Sequence, residues 1–248
     1  IDLVPYGRPA REALAARIAA EKALDPLAPV TVIVPSNYSG LSVRRALAAS
    51  VPVVNVHFMV APRLAELLGG PALAAEGRRP LTPWVRFQAV RAALAESPGV
   101  FTDVAAHPAT ARELQRVFAE LREVSSPSLD RLARTSRRAA DVVRLYHRFL
   151  ALTGDFFDEI DLMGSATRRV GAATAEDTGA IVLCLPRKLA PALERFLAAV
   201  AAAQLPVHAV LGLTGDEAVD AVTAALVDRL SFAGPPIRSE VAEPGVLR

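Results

Sequence analysis

The chain begins IDLVPYGRPAREALAARIAA: an apolar run, the turn Pro5-Tyr6-Gly7-Arg8-Pro9, then an Ala/Leu/Arg helix pattern. Strand, tight turn and helix in that order bring backbone N–H groups together at a helix N-terminus, where phosphate is held. A working phosphate loop also needs a lysine for the outer phosphate oxygens and a Ser or Thr hydroxyl for magnesium. Gly7 is the only glycine of this turn, and Pro5 and Pro9 each remove a donor. The only lysines are Lys22, read as lying deep in the first helix, and Lys188, which follows a later strand pattern. Neither precedes a Ser or Thr. Arg8 and Arg11 can still hold an anion beside the helix start, so Gly7, Arg8 and Arg11 are the candidates for a degenerate nucleotide pocket. A plain strand–helix turn is the favoured reading, and ATP hydrolysis is not expected.

The run AIVLCLPRKL at 180–189 bears on the same chemistry. A nucleotide-hydrolysing protein carries a magnesium-binding Asp and a following acid at such a strand end. Here Leu185, Pro186 and Arg187 stand in those places, and a hard cation has no oxygen ligand. Two independent elements of an ATPase are therefore missing together.

Other chemistries are weaker. His57, His107, His147 and His208 show no ligand spacing, and SNYSGLS is not a nucleophile elbow. Asp155, Asp158, Glu159 and Asp161 form an acidic group, which at a helix start serves the dipole and the cap more readily than a metal. Cys184, the single cysteine, reads as a small core residue. No metal and no cofactor are expected.

The stretch PSNYSGLSVRRAL at 35–47 is the candidate for nucleic acid. Ser36, Asn37 and Tyr38 follow a strand pattern, in the place where open α/β sheets bind ligands. Tyr38 can stack on a base, and Arg44 and Arg45 can face phosphate. A polar loop with a solvated helix face explains the same residues equally well. Arg78-Arg79, Arg137-Arg138 and Arg168-Arg169 read as solvated surface.

The elements that would position these residues come from patterning. At 248 residues, 52% of them apolar and 5% aromatic, the chain can bury a full core and favours helix over a β-sandwich. Net charge of +2 permits a nucleic-acid partner without requiring one. Five apolar, β-branched runs (near the start, 30–35, 51–60, 180–186 and 206–213) are continuous rather than alternating, as in strands covered on both faces. Helix patterns at 8–24, 41–50, 61–68, 189–203 and 216–230 separate most of them, which implies a parallel α/β sheet flanked by helices. Between 82 and 172 apolar residues recur at helical spacing, with Pro83, Pro108 and Pro127 at helix starts and a further helix expected at 158–170. The expected plan is an α/β core of residues 1–81 and 173–231 with an all-helical insertion at 82–172. A linker at 232–248 would lead to an absent downstream region, the chain reading as a segment of a longer polypeptide. No signal peptide and no membrane span are expected, and a lone cysteine that can form no intrachain disulfide fits a reducing compartment, so a cytoplasmic location is expected.

In this order the elements resemble the N-terminal helicase-like region of the B subunit of AddAB-type helicase–nucleases, within the RecB/PD-(D/E)XK nuclease group. VTVIVPSNYSGLSVRRALA is similar to that family's second strand and polar loop, and VNVHFMVAPRLAELLG to its third element. Tyr146, Gly154, Asp158 and Leu162 match its Tyr-containing helix, Gly-x-x-x-Asp turn and Asp-Leu helix. Pro191 and Glu194 match the helix after its motif II strand. The resemblance implies a superfamily-1 helicase-like, P-loop NTPase-type fold in a DNA recombination and repair setting. The family's phosphate-binding lysine and acidic motif have no counterpart here. The implied protein is a non-catalytic, inactive P-loop module that binds single-stranded DNA or docks a motor helicase subunit, any nuclease domain lying downstream. Rival readings are a stand-alone α/β enzyme or small-ligand binder using a pocket above the first three strands, and a pure protein-interaction scaffold.

Overall fold

The computed structural model describes residues 1–49, 51 and 53–238. In chain order the elements are β1 (Asp2–Pro5), α1 (Arg8–Glu21), β2 (Val30–Ile33), α2 (Asn37–Leu47), β3 (Val56–Met59) and α3 (Ala61–Ala75). Next come β4 (Arg79–Pro80), α4 (Pro83–Glu96), a 3-10 stretch (Gly99–Val104), α5 (Pro108–Leu121), α6 (Ser126–Ala133) and α7 (Arg137–Leu152). The chain continues through β5 (Phe156–Phe157), α8 (Glu159–Arg168), α9 (Ala172–Thr178), β6 (Ala180–Cys184), α10 (Pro191–Ala202), β7 (Val207–Leu213), α11 (Glu217–Arg229) and β8 (Ile237–Arg238).

Two compact units result: Ile1–Gly69 with the chain from Met163 onward, and Gly70–Leu162. The second begins and ends earlier than the 82–172 stretch expected from patterning. It starts at Gly70 within α3 and takes in β4, which pairs with β5 and so belongs with the helices. It ends at Leu162 within α8, whose Ser165 hydroxyl donates to the Gly69 carbonyl at 3.0 Å and joins the later part of α8 to the early part of α3 inside the first unit.

The first unit is an α/β layer structure around a six-stranded sheet of order β3-β2-β6-β7-β1-β8, every neighbouring pair parallel. All residues of β2 and β6 are buried, as strands covered on both faces require. The one polar residue among them, Thr31, satisfies its hydroxyl by donating to the Thr178 carbonyl at 2.8 Å. One face packs Val32, Val182 and Val210 against Leu14 and Ile18 of α1 and Leu47 of α2. Elsewhere in this unit α10 and α11 are joined by the Arg229–Glu194 pair, Nε to Oε2 at 2.8 Å.

Three expectations are corrected here. The third strand is only Val56–Met59 rather than 51–60; Pro52 of that run, and Ser50 of the 41–50 helix pattern before it, lie outside the described residues. Lys22 does not lie deep in the first helix but at its C-terminal cap, almost wholly buried, its ammonium donating to the carbonyls of Ala28 at 2.5 Å and Pro26 at 3.2 Å. The expected linker at 232–248 is ordered at its start: Ile237 N–H donates to the Ile1 carbonyl at 2.8 Å, adding β8 to the free edge of β1. The rest of that linker, from 239, is outside the described residues.

The second unit packs α4, α5 and α7 around Phe118, whose ring centroid lies 5.6 Å from Tyr146 and 5.3 Å from Phe149. Beside it is an ion network. Arg122 holds Asp158 in a fork, Nε to Oδ2 at 2.8 Å and Nη2 to Oδ1 at 3.0 Å, and reaches Asp161 at 2.9 Å. Asp158 also caps α8, accepting from Ile160 and Asp161 N–H, while Asp161 accepts in return from Asp158 N–H. Arg78 completes the group through Asp161 at 3.2 Å and the Phe156 carbonyl. It is therefore not the solvated residue expected from its Arg-Arg pair, since β4 carries it to β5. Burial by itself would raise the Asp158 carboxyl, but the hydrogen bond and charge of Arg122 outweigh it and hold the group below its ordinary 3.8.

Packing within each unit makes three predictions. Gly179 sits at φ +57°, and a Cβ there would fall 1.7 Å from the Pro29 carbonyl oxygen. Gly179→Ala should cost roughly 3 kcal/mol or more, measured by denaturant unfolding. Arg122→Met strands a largely buried carboxylate and should cost about 3 kcal/mol. Because the Asp158 pKa is depressed, its stabilisation is present above 3.8 and is lost as pH falls through the lower folded value. The fall in Tm between pH 5 and 3, values of roughly one unit either side of the usual carboxylate range, should be smaller in Asp158→Asn than in the parent chain.

Candidate functional site

A sheet in which every pair is parallel puts the loops after β1, β2, β3, β6 and β7 at one edge, the carboxyl ends of the strands. Both stretches that read as lost ATPase elements lie there, with β7 between them in the sheet.

At the opening turn Gly7 caps α1 with φ 90° and ψ −126° and supplies no side-chain hydrogen bond. Arg8 is turned to its own helix, Nε to Glu12 Oε1 at 2.7 Å on an exposed surface, and Arg11 is exposed. The neighbouring Tyr6 fills the space over β7. Its ring lies so close to Gly212 that a Cβ there would be 2.3 Å from Tyr6 Cζ. Patterning did not single out Tyr6. The signal was the glycine inside β7, which marks a close approach.

The loop after β7 uses its donors internally. Asp220 accepts from Thr214 N–H at 2.8 Å and Gly215 N–H at 3.1 Å, and Asp216 caps α11 through Ala218 and Val219 N–H. Those hydrogen bonds, the Thr214 N–H first, hold the Asp220 carboxyl below its usual range. Few free amides remain there for an anion.

At the end of β6 the backbone turns at Leu185, a non-glycine residue at φ 47° whose N–H donates to the Val210 carbonyl at 2.8 Å. Arg187 and Lys188 beyond it are exposed. Burial pushes the Cys184 thiol up to about 11, so it is no nucleophile at neutral pH.

The residues after β2 are placed differently from expectation. Helix was expected from 41 with a polar loop before it, yet α2 starts at Asn37 because Ser36 caps it, Oγ accepting from Ser39 N–H at 3.1 Å. Gly40 allows the close seating of this helix, since a Cβ there would lie 3.1 Å from Val34 Cγ2. Asn37 and Tyr38 thus form a first turn. Tyr38, Leu41 and Arg45, at i, i+3 and i+7, share one exposed face, with Tyr38 83% exposed. Asn37 and Arg44 line the flank beside it. The guanidinium groups of Arg44 and Arg45 make no ion pair or hydrogen bond among the described residues, and as last-turn cations they also suit the helix dipole. The candidate nucleic-acid residues therefore sit together on one helix, whereas Gly7, Arg8 and Arg11 form a separate turn.

The histidines have structural partners: His208 Nε2 is 2.7 Å from Glu21 Oε1, and His57 Nε2 is 3.0 Å from Asn55 Oδ1. Among the described residues no group of three His, Cys, Asp or Glu side chains is placed to hold a metal ion, and no helix is long and apolar enough to cross a membrane. No protein-family model matches the chain, and no curated protein matches it.

The filled opening turn makes a direct prediction about nucleotide. Calorimetric titration with ATP–magnesium should show no saturable binding at micromolar concentration; saturation there would contradict the account of Tyr6, Arg8 and Leu185 just given.

Proposed function

We propose that this chain is a non-catalytic, helicase-like module that binds single-stranded DNA across the exposed face of α2, in a recombination or repair setting. The observation that carries the reading is the helix itself: a Tyr ring almost fully in solvent, with the unpaired guanidinium of Arg45 two turns further along the same face. A rise of 1.5 Å per residue separates them by about 10 Å, the scale of one to two nucleotide steps. An aromatic face takes any base, while neighbouring guanidinium groups neutralise phosphates, so this chemistry suits a strand with little sequence preference.

The lost ATPase elements support the non-catalytic half of the reading. No lysine, hydroxyl or carboxylate occupies the places where nucleotide hydrolysis needs them: Lys22 is consumed by carbonyls, and the β6 end offers Leu185, Pro186 and Arg187. The strand arrangement supports the helicase-like half, because it sets the opening turn and the β6 end at one sheet edge.

Fluorescence anisotropy with a labelled oligothymidylate tests this. Tyr38→Ala should weaken binding about five- to 150-fold, the loss of one stacked base at roughly 1–3 kcal/mol. Arg44→Gln and Arg45→Gln should each lower the slope of log K against log salt by about 0.7. Absence of binding at low salt, or binding indifferent to all three substitutions, would sink the proposal.

A further inference from the structure

A cavity of about 280 Å³ lies in the first unit at the carboxyl ends of β2, β3 and β6. Its position follows from the connections. From β2 the chain steps through α2 to β3 on one side, and from the adjacent β6 it steps through α10 to β7 on the other. Right-handed crossovers that part in this way send their helices to opposite faces and leave a crevice between the two strand ends, the usual ligand position in open α/β sheets.

The walls are apolar, with Ile33, Val60, Pro62, Leu183 and Leu193 prominent among them. The sole charged residues of the lining are Arg187 and Lys188, both cationic, both exposed, and both without an ion pair or side-chain hydrogen bond among the described residues. The turn that brings them to the rim is held by Leu185 in the left-handed region at φ 47°, a costly conformation for a non-glycine residue that clusters at ligand clamps. The adjoining α10 has no side-chain cap at Ala190, so the N–H groups of Ala192 and Leu193 have neither an intrahelical acceptor nor a capping oxygen.

We infer that this crevice binds a small amphipathic anion, an apolar chain or ring of roughly nine methylene-sized groups carrying one carboxylate or phosphate. The body lies on the strand ends, and the head meets Arg187, Lys188 and the first turn of α10. A nucleoside fits the walls poorly, because apart from the two rim cations the lining offers no side-chain hydrogen-bonding group but the Cys184 thiol, and buried base and sugar acceptors and donors would largely go unpaired. The site is distinct from the α2 face and stands whether or not that face binds DNA.

Calorimetry and ligand-observed NMR with octanoate, octyl phosphate, octanol and inorganic phosphate test it. Saturable one-to-one binding of octanoate or octyl phosphate is expected, the tighter of the two identifying the head group. Octanol should bind at least about tenfold more weakly, since a charge-assisted hydrogen bond is lost, and inorganic phosphate should not compete. The double substitution Arg187→Gln/Lys188→Gln changes exposed, unpartnered side chains, so the fold survives it, and it should raise the Kd about tenfold or more. Ala61→Phe fills the cavity and should abolish binding, while Tyr38→Ala should leave it unchanged. No saturable binding of either anion, equal binding of octanol, or indifference to the Arg187/Lys188 variant would overturn the assignment, and the last decides the matter even if Ala61→Phe fails to fold.

Discussion

The hydrogen-bond ladder of the six-stranded sheet is the constraint from which the rest of the first unit follows. Parallel neighbours exchange slanted N–H···O=C bonds only if the chain returns to the same end after each strand, so every connection is a crossover across a face. Both faces must then be apolar, which β2 and β6 satisfy residue by residue. The loops that leave the strands have no choice of side: Tyr6, Ser36, Val60, Leu185 and Thr214 all come to one edge. That edge gathers the chemistry of the molecule because it is where helix N-termini, strand-end carbonyls and irregular backbone meet.

Much of that edge is already engaged within the fold. Tyr6 lies on Gly212, Arg8 pairs with Glu12, and the amides after β7 serve Asp216 and Asp220. Among the cations near that edge, Arg11 in the opening turn, Arg44 and Arg45 on α2 and Arg187 and Lys188 after β6 make no ion pair or side-chain hydrogen bond among the described residues. Free cations therefore surround two surfaces of opposite character, an exposed aromatic helix face and an apolar crevice.

The second unit is organised by charge as much as by its core. Removing Arg122 and the two aspartates from water is repaid because almost every oxygen has a donor: Asp158 takes the Arg122 fork and two amides, and Asp161 takes two guanidinium groups and an amide. The residues that matched the Gly-x-x-x-Asp turn and the Tyr-containing helix lie close to this network. Their pattern is accounted for by capping and packing, with no ligand required.

Much of the architecture was legible from residue types alone. Continuous β-branched runs marked buried parallel strands, helical spacing marked most helices, and proline marked the starts of α4, α5 and α6, because each follows from local sterics or from the burial demanded of a repeating surface. The missing lysine and carboxylates were equally plain, since an absent functional group needs no coordinates to be absent. Tertiary structure decided what depends on partners distant in sequence. It set the order of the strands, the pairing of Arg78, the burial of Lys22, the addition of β8 to β1 and the limits of the helical unit. It also turned Ser36 from a loop residue into a helix cap and brought Pro35, Val60 and Arg187 around one cavity. Residues far apart in the chain meet only when the ladder and the crossovers are complete, and no local preference encodes that meeting.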